Sequence, residues 1–538
     1  MKGRKNRRTS LPPPHLVKQG SANFQYLHPP LEIQGEEKRL GSRSPLLTEF
    51  ILSIGPLISQ TVQALYGVVN LFWVSKSIGD RGIEVFGAVY IVDFITLGFA
   101  DYLMTSLDIR ISYLFGEKSD VKECSQIYVD FLRSSVLFGL LMPAIILPIS
   151  RPLIEWFGSS KEISLMCFHY LMPTTFGAFF NFIYMVSCGL IQSEGHSIIF
   201  GITQVTSLVL NMALFAPLFL LGFKMDIWGA SLATVCSEGL VGITLVILIF
   251  SGKFTIKPNV KMFCHKFSPQ TWEALRIGLA SLMEDFSYSI PEILIQKYLN
   301  AAARAIGEYD TIVEVWGIIE KLYQFVGGSN DAFAIGLLPA ASFAYGAKRY
   351  NRMLWLFLHA NWITIMISVA YSLLMIFWPS QIASIWSKDK DVLKWCKILI
   401  PKVFFANFCF PLEYTTPALL QGMQRVTQAT ILAAITSLLP IPLFSSILYF
   451  TSDGKKNPER IMWTYTISDL FAATMCIIFI SPHLYKLCKA PKDKEIYNEQ
   501  NENMVCLKVA KSGYLNPQPL LPQDNVVSNV ALITQSEE

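Results

Sequence analysis

Seven side chains in this sequence set an ionisable or phenolic group in strongly apolar surroundings. Glu284, Tyr288 and Glu292 fall at i, i+4 and i+8, so a helix would carry them on one face. Asp285 adjoins the first of them. Pro291 sits in the same stretch and cannot donate a backbone hydrogen bond, which frees a carbonyl nearby. Asp101 and Asp331 each stand fifteen residues before a glycine, Gly116 and Gly346. Glu413 follows Pro411 by two positions. A charge at the middle of a bilayer costs about 2.5–3.5 kcal/mol on the insertion scale, so acids in such places are candidates for function. The chemistry they suit is reversible binding of a proton or cation. A carboxylate in apolar surroundings holds its proton more tightly than in water and can load and unload near neutral pH.

Weaker candidates surround this set. Glu238 and Asp469 are expected to pair with polar neighbours, and Glu84 and Glu314 to cap helices. Lys402 shares a helical face with Glu413 but lies eleven residues away, too far for direct contact. His169 and His359 stand singly, as interfacial or core histidines do.

The elements that must position these groups follow from composition. Of 538 residues, 52% are hydrophobic and 16% charged, where soluble domains average roughly 25% charged. Mean hydropathy is +0.41. A soluble chain of this size would need far more polar surface, so the sequence reads as a polytopic all-α membrane protein. A bilayer core of about 30 Å needs about 20 helical residues. Twelve apolar segments qualify, near 47–75, 84–114, 126–149, 164–193, 198–222, 228–251, 271–298, 310–344, 352–378, 393–422, 427–450 and 460–484.

Twelve crossings put both ends of the chain on one side. The tails and even-numbered connections hold Arg4, Lys5, Arg7, Arg8, Lys118, Lys122, Lys253, Lys257, Lys348, Arg349 and a lysine cluster from Lys486 to Lys494. This bias assigns both termini to the cytosol. The expected organisation is a disordered N-terminal tail over 1–45, a first lobe over 46–252 and a cytosolic linker over 253–269. A second lobe over 270–485 and a disordered C-terminal tail over 486–538 complete it.

The two lobes are copies of one unit. Glu84-Val85-Phe86-Gly87 returns as Glu314-Val315-Trp316-Gly317, an offset of 230. Asp101 meets Asp331, Ser112 meets Ser342, Gly116 meets Gly346 and Lys118 meets Lys348 at that same offset. Leu190-Ile191-Gln192 meets Leu419-Leu420-Gln421 at 229. Six helices per copy is an even number, so the copies share one orientation about a pseudo-two-fold axis along the membrane normal. At 1.5 Å per residue, Asp101 and Asp331 would lie roughly 22 Å from their glycines and face a central cleft at matching depth.

Other chemistries find no support. No GxxxxGK[ST] run supplies an ATP-driven engine, and no GxSxG or HExxH motif suggests an enzyme. The ten cysteines show no CxxC or Cys/His metal spacing. No cofactor and no metal site is expected, and no nucleic-acid partner.

Several of these stretches resemble the MATE (multidrug and toxic compound extrusion) family, of the MOP flippase superfamily. They are Gly55-Pro56-Leu57-Ile58-Ser59-Gln60 with Ala64-Leu65-Tyr66, then Ile111–Gly116, Glu194-Gly195-His196 and Trp228–Thr234. Phe343-Ala344-Tyr345-Gly346-Ala347-Lys348-Arg349-Tyr350-Asn351-Arg352 is similar to the family's YGAxxxxR pattern. The resemblance covers about residues 46–485. It implies a V-shaped pair of six-helix lobes with alternating access. It further implies a secondary antiporter, exporting organic cations, xenobiotics or metabolites in exchange for H⁺ or Na⁺. Glu284 falls where one branch carries its helix 7 glutamate. Acids found in other branches are Asn70, Phe215 and Phe410 here, so coupling would rest on Glu284, Glu413 or the Asp101/Asp331 pair. The partners implied are a small organic cation, H⁺ or Na⁺ and the bilayer, with a monomer in the plasma or a vacuolar/lysosomal membrane. The alternatives are a lipid-linked oligosaccharide flippase of the same superfamily and a transport-inactive membrane receptor. The spans carry more acids than bases, which disfavours a pyrophosphate-binding cleft.

Overall fold

The computed structural model describes residues 16–19, 23–26, 33–156, 160–451 and 454–490, and leaves the side chains of Tyr288 and Glu292 outside that description. Most of the two expected tails also lies outside it. Leu16–Gln19 and Asn23–Tyr26 pair as a short antiparallel hairpin. Residues 36–43, counted in the first tail by composition, pack against the body: Leu40 is fully buried and Glu36 is 1% exposed.

Among the described residues, twelve helical rods form the body. The first six are α1 Pro45–Ile78, α2 Asp80–Glu117, α3 Val121–Trp156, α4 (Lys161–Phe176 bent into Ala178–Ser193), α5 Ser197–Gly222 and α6 Trp228–Phe250. The second six are α7 Leu279–Ile306, α8 Tyr309–Gly346, α9 Tyr350–Phe377, α10 Lys390–Gly422, α11 Val426–Phe450 and α12 Pro458–Lys489. A short helix, Pro269–Ile277, leads into α7. Among the described residues, eight rods are long and apolar enough to cross a membrane, and α4 makes nine when its halves are one span. The other three, α2, α7 and α8, are 38, 28 and 38 residues long, ample for a crossing. They are the helices that carry Asp101, Glu284, Asp285 and Asp331. The architecture is consistent with twelve spans. Large apolar side chains such as Leu137, Leu140 and Ile247 point outward, as a hydrocarbon surrounding requires.

The internal repeat is visible in the backbone. Lys118 and Lys348 take left-handed conformations at φ 60° and 58°, one after α2 and one after α8. Gly195 and Gln424 do so at equivalent turns, at φ 77° and 59°. A π-helical turn interrupts α5 at Asn211–Phe215 and another interrupts α11 at Ala434–Leu438. Helices α1–α6 pack together, as do α7–α12, giving two six-helix lobes about a pseudo-two-fold axis.

The lobes meet at the end that holds the even-numbered connections. Small residues make that approach possible. A Cβ added to Gly116 of α2 would lie 2.1 Å from the Phe343 carbonyl of α8, and one on Gly346 would lie 2.2 Å from the Tyr113 carbonyl. Gly336 of α8 is as tight against Ser53 of α1. Arg110 of α2 donates to Gln424 at 3.0 Å and pairs with Gln270 and Glu273 of the short helix. Further along, α1 and α8 part. Gln63, Ala64, Leu65 and Val68 of α1 are exposed, as are Lys321, Gln324 and Phe325 of α8. A cleft therefore opens toward the odd-numbered connections, with its floor near Gln60 and Asp331.

Candidate ion-coupling site at the lobe junction

Three helices from two lobes bring four carboxylates to the cleft floor. Gln60 of α1 donates its side-chain amide to Asp331 of α8 at 2.6 Å, across the lobe boundary. Asp285 of α7 approaches α2 where Gly98 leaves room: a Cβ there would sit 3.2 Å from the Asp285 Cβ. Asp101, Glu284 and Asp331 all act electrostatically on Asp285. Asp101 and Glu284 each also interact with Asp331. The repeat-related acids Asp101 and Asp331 thus come together, and Glu284 and Asp285 join them from α7. Asp285 Oδ2 is buried without a hydrogen-bond partner among the described residues. No lysine or arginine pairs with any of the four among the described residues.

A second pair continues the row into the C-terminal lobe. Glu413 interacts with Asp469 of α12 on one side and Glu284 on the other. Its position follows from a break in α10. The helix stops at Phe404, passes through a 3₁₀ turn at Asn407–Cys409 and restarts at Pro411. Ala406 leaves helical geometry at φ −101°, and Pro411, which has no N–H to donate, opens the restarted helix at a position where none is needed. Glu413 lies in the first turn of the restarted helix, where the helix dipole favours negative charge. Asp469 is 2% exposed and its Oδ2 has no partner among the described residues. Asn407, 1% exposed, has neither amide atom satisfied among the described residues. Tyr323 packs over this pair, 4.9 Å from the Tyr465 ring and 5.1 Å from Phe410.

The N-terminal lobe holds a separate pair. Asn181 of α4 donates to Glu238 of α6 at 2.8 Å, and Asp93 of α2 lies within its field. Tyr66 of α1 bonds Ser207 and Ser237 at 2.8 and 3.2 Å. Repeat spacing relates this pocket to the other lobe: Asp93 corresponds to Tyr323 at the offset of 230, and Tyr184 to Glu413 at the offset of 229 that holds in α4. Asp93 was not among the sequence candidates. The available signal was an acid inside the apolar run 84–114, at the repeat position of a tyrosine. Among the described residues, Asn70 is buried with its Oδ1 unpartnered, and Phe215 packs on Phe219.

Two other candidates have local partners. Lys402 pairs with Glu459 at 3.0 Å and donates to the Ile398 carbonyl, so it does not meet Glu413. His359 accepts a hydrogen bond from Trp362 Nε1 at 2.8 Å. Tyr288 and Glu292 have side chains outside the described residues. Among the described residues, no three His, Cys, Asp or Glu side chains converge closely enough to hold a metal ion. The floor acids are within one another's field without converging on a common point.

Comparison with known proteins agrees with this architecture. The MatE family model matches residues 57–216 and 317–444. Multidrug export protein MepA of Staphylococcus aureus (strain MSSA476) is 19% identical over 452 residues, covering 81% of this chain and 94% of that protein. MepA of Staphylococcus haemolyticus (strain JCSC1435) is 19% identical over 429 residues, covering 80% and 91%. A solved outward-facing multidrug resistance MATE transporter of the MOP superfamily superposes with a TM-score of 0.76 at 20% identity, covering 85% of this chain and 99% of that one. A MOP superfamily transporter from Pyrococcus furiosus, described by the reversed polarity of its binding pocket, gives 0.75 at 20% identity and the same coverage.

Proposed function

The chain belongs to the MatE family, and from that membership we propose that it is a secondary antiporter exporting organic cations in exchange for protons. The observation that carries this reading is the row of acids from Asp101 through Asp331, Asp285 and Glu284 to Glu413 and Asp469. It runs from the cleft floor into the C-terminal lobe with no basic counter-ion among the described residues. An uncompensated negative floor attracts a cationic substrate entering the cleft. The same carboxylates can take up protons when the substrate leaves, and the two ligands then compete for one set of charges. That competition is the exchange. Acids that, among the described residues, do not converge into a cage favour a proton over a coordinated sodium ion. The charge pattern of the connections supports even-numbered loops and both tails in the cytosol, so the cleft opens away from it.

The deciding measurement is uptake of a fluorescent organic cation into proteoliposomes under separately imposed H⁺ and Na⁺ gradients. The H⁺ gradient is expected to drive uptake in the unmodified protein. Glu284→Gln is expected to bring it down to the level of protein-free liposomes. Sodium-driven uptake, or full H⁺-driven uptake in the variant, would refute the assignment.

A further inference from the structure

Residues 36–43 lie across the face where the lobes meet and bond to both of them. On the N-terminal side, Arg39 Nε donates to the Glu194 carbonyl at 2.6 Å and its guanidinium pairs with Glu36 at 2.8 Å. Glu36 also accepts from the Thr255 hydroxyl, in the connection between the lobes. Glu194 secures that connection by accepting from the Ile256 and Thr255 amides at 2.9 and 3.1 Å.

The opposite edge is held by two arginines of the C-terminal lobe. Arg349 pairs with Glu37 at 2.5 Å and donates to the Gly41 carbonyl at 3.1 Å. Arg352 is 7% exposed. It donates to the Leu40 carbonyl at 2.7 Å, the Arg43 carbonyl at 2.6 Å and the Thr48 hydroxyl at 2.9 Å. Gly41 permits this: a Cβ there would lie 2.7 Å from the Phe343 ring and 2.9 Å from Arg349. Three backbone carbonyls and a carboxylate thus converge on two guanidiniums, a geometry of charge-assisted hydrogen bonds.

The two sets of bonds differ in what motion does to them. The segment is continuous with α1, so its bonds to the α4–α5 turn stay within one lobe. Its bonds to Arg349 and Arg352 cross between lobes. We propose that residues 36–43 are a latch, which holds the even-numbered-loop face closed and must release Arg349 and Arg352 before the cleft can open there. This inference rests on the alternating-access reading above, and its test does not depend on transport.

Hydrogen–deuterium exchange on the full-length protein reads the seam directly, at residues 108–117 of α2 and 338–346 of α8. Arg349→Glu places like charges against Glu37 and is expected to speed exchange at both seam segments severalfold. Exchange in α6, remote from the seam, should not change. Adding Glu37→Arg to the same chain restores opposite charges and is expected to return seam exchange to the unmodified rate. Glu37→Gln alone, at a side chain one-third exposed, should give a smaller rise at the same segments. Faster exchange confined to residues 36–43 with an unchanged seam would overturn the latch. So would a seam opened by Arg349→Glu that Glu37→Arg fails to close. A transport assay that fails for lack of the right substrate leaves these readouts intact.

Discussion

Glu194 and His196 stand two residues apart and burial drives them in opposite directions. Loss of solvent raises the Glu194 carboxyl from 4.5 to about 7, against the lowering effect of the Ile256 and Thr255 amides and of Arg39. The same cause lowers the His196 imidazole from 6.5 to about 4, and the Arg39 charge adds to it. For Glu194 the contribution to stability is present below pH 4.5 and is lost as pH rises through about 7. For His196 it is present above pH 6.5 and is lost as pH falls toward 4. Between about pH 4.5 and 6.5 the two slopes oppose each other. Glu194→Gln is therefore expected to leave a thermal midpoint that climbs with pH across that window, and His196→Asn one that drops. Thermal unfolding in detergent at stepped pH values checks this, and parallel responses in the two variants would contradict it. The carboxylates of the cleft floor were legible in the sequence because each interrupts an apolar run. Their grouping was legible in part, since the repeat placed Asp101 and Asp331 at one depth. Asp469 joining Glu413, and Lys402 turning to Glu459, were not legible. Each depends on which face of α12 meets the broken part of α10, and no spacing within one helix fixes that.

At the scale of the element, breaks matter more than lengths. Helix α4 bends by 51° at Gly177. Pro173 removes a hydrogen bond upstream, and a Cβ on Gly177 would lie 2.4 Å from Val235 Cγ1 of α6 and 2.8 Å from the Pro173 carbonyl. The bend lets Asn181 reach Glu238. Gly177→Ala is expected to cost about 1–3 kcal/mol through overpacking. Val235→Ala in the same chain should recover part of that cost, because the side-chain clash is removed and the carbonyl contact remains. A double-mutant cycle of denaturation midpoints measures the recovery, and none at all would mean that the bend has another cause. The spans themselves were readable from run length and hydropathy. The packed segment at residues 36–43 was not. Its hold comes from guanidinium–carbonyl bonds, which leave no periodic pattern, and its charged residues read as a solvated tail.

The whole molecule repeats one six-helix unit, and the sequence showed it through short matched stretches at a nearly constant offset. The repeat extends to backbone detail: left-handed caps match at Lys118 and Lys348, and at Gly195 and Gln424. It fails where chemistry differs, with Asp93 in one lobe and Tyr323 in the other. Lobe symmetry thus sets the frame and supplies the Asp101/Asp331 pair, while Glu284, Asp285 and Glu413 add acids from the C-terminal half.

The reciprocal contact at the seam has a consequence for how changes combine. Gly116 faces the carbonyl of Phe343 while Gly346 faces that of Tyr113, and the two contacts exchange places under the pseudo-two-fold. An alanine at either position must push the same two helix ends apart. Once they are apart, a second alanine meets open space. Gly116→Ala and Gly346→Ala are each expected to destabilise the protein, and the pair together by little more than one alone. In genetic terms the two sites are one locus of constraint. Either position can tolerate change freely only after the other has already changed.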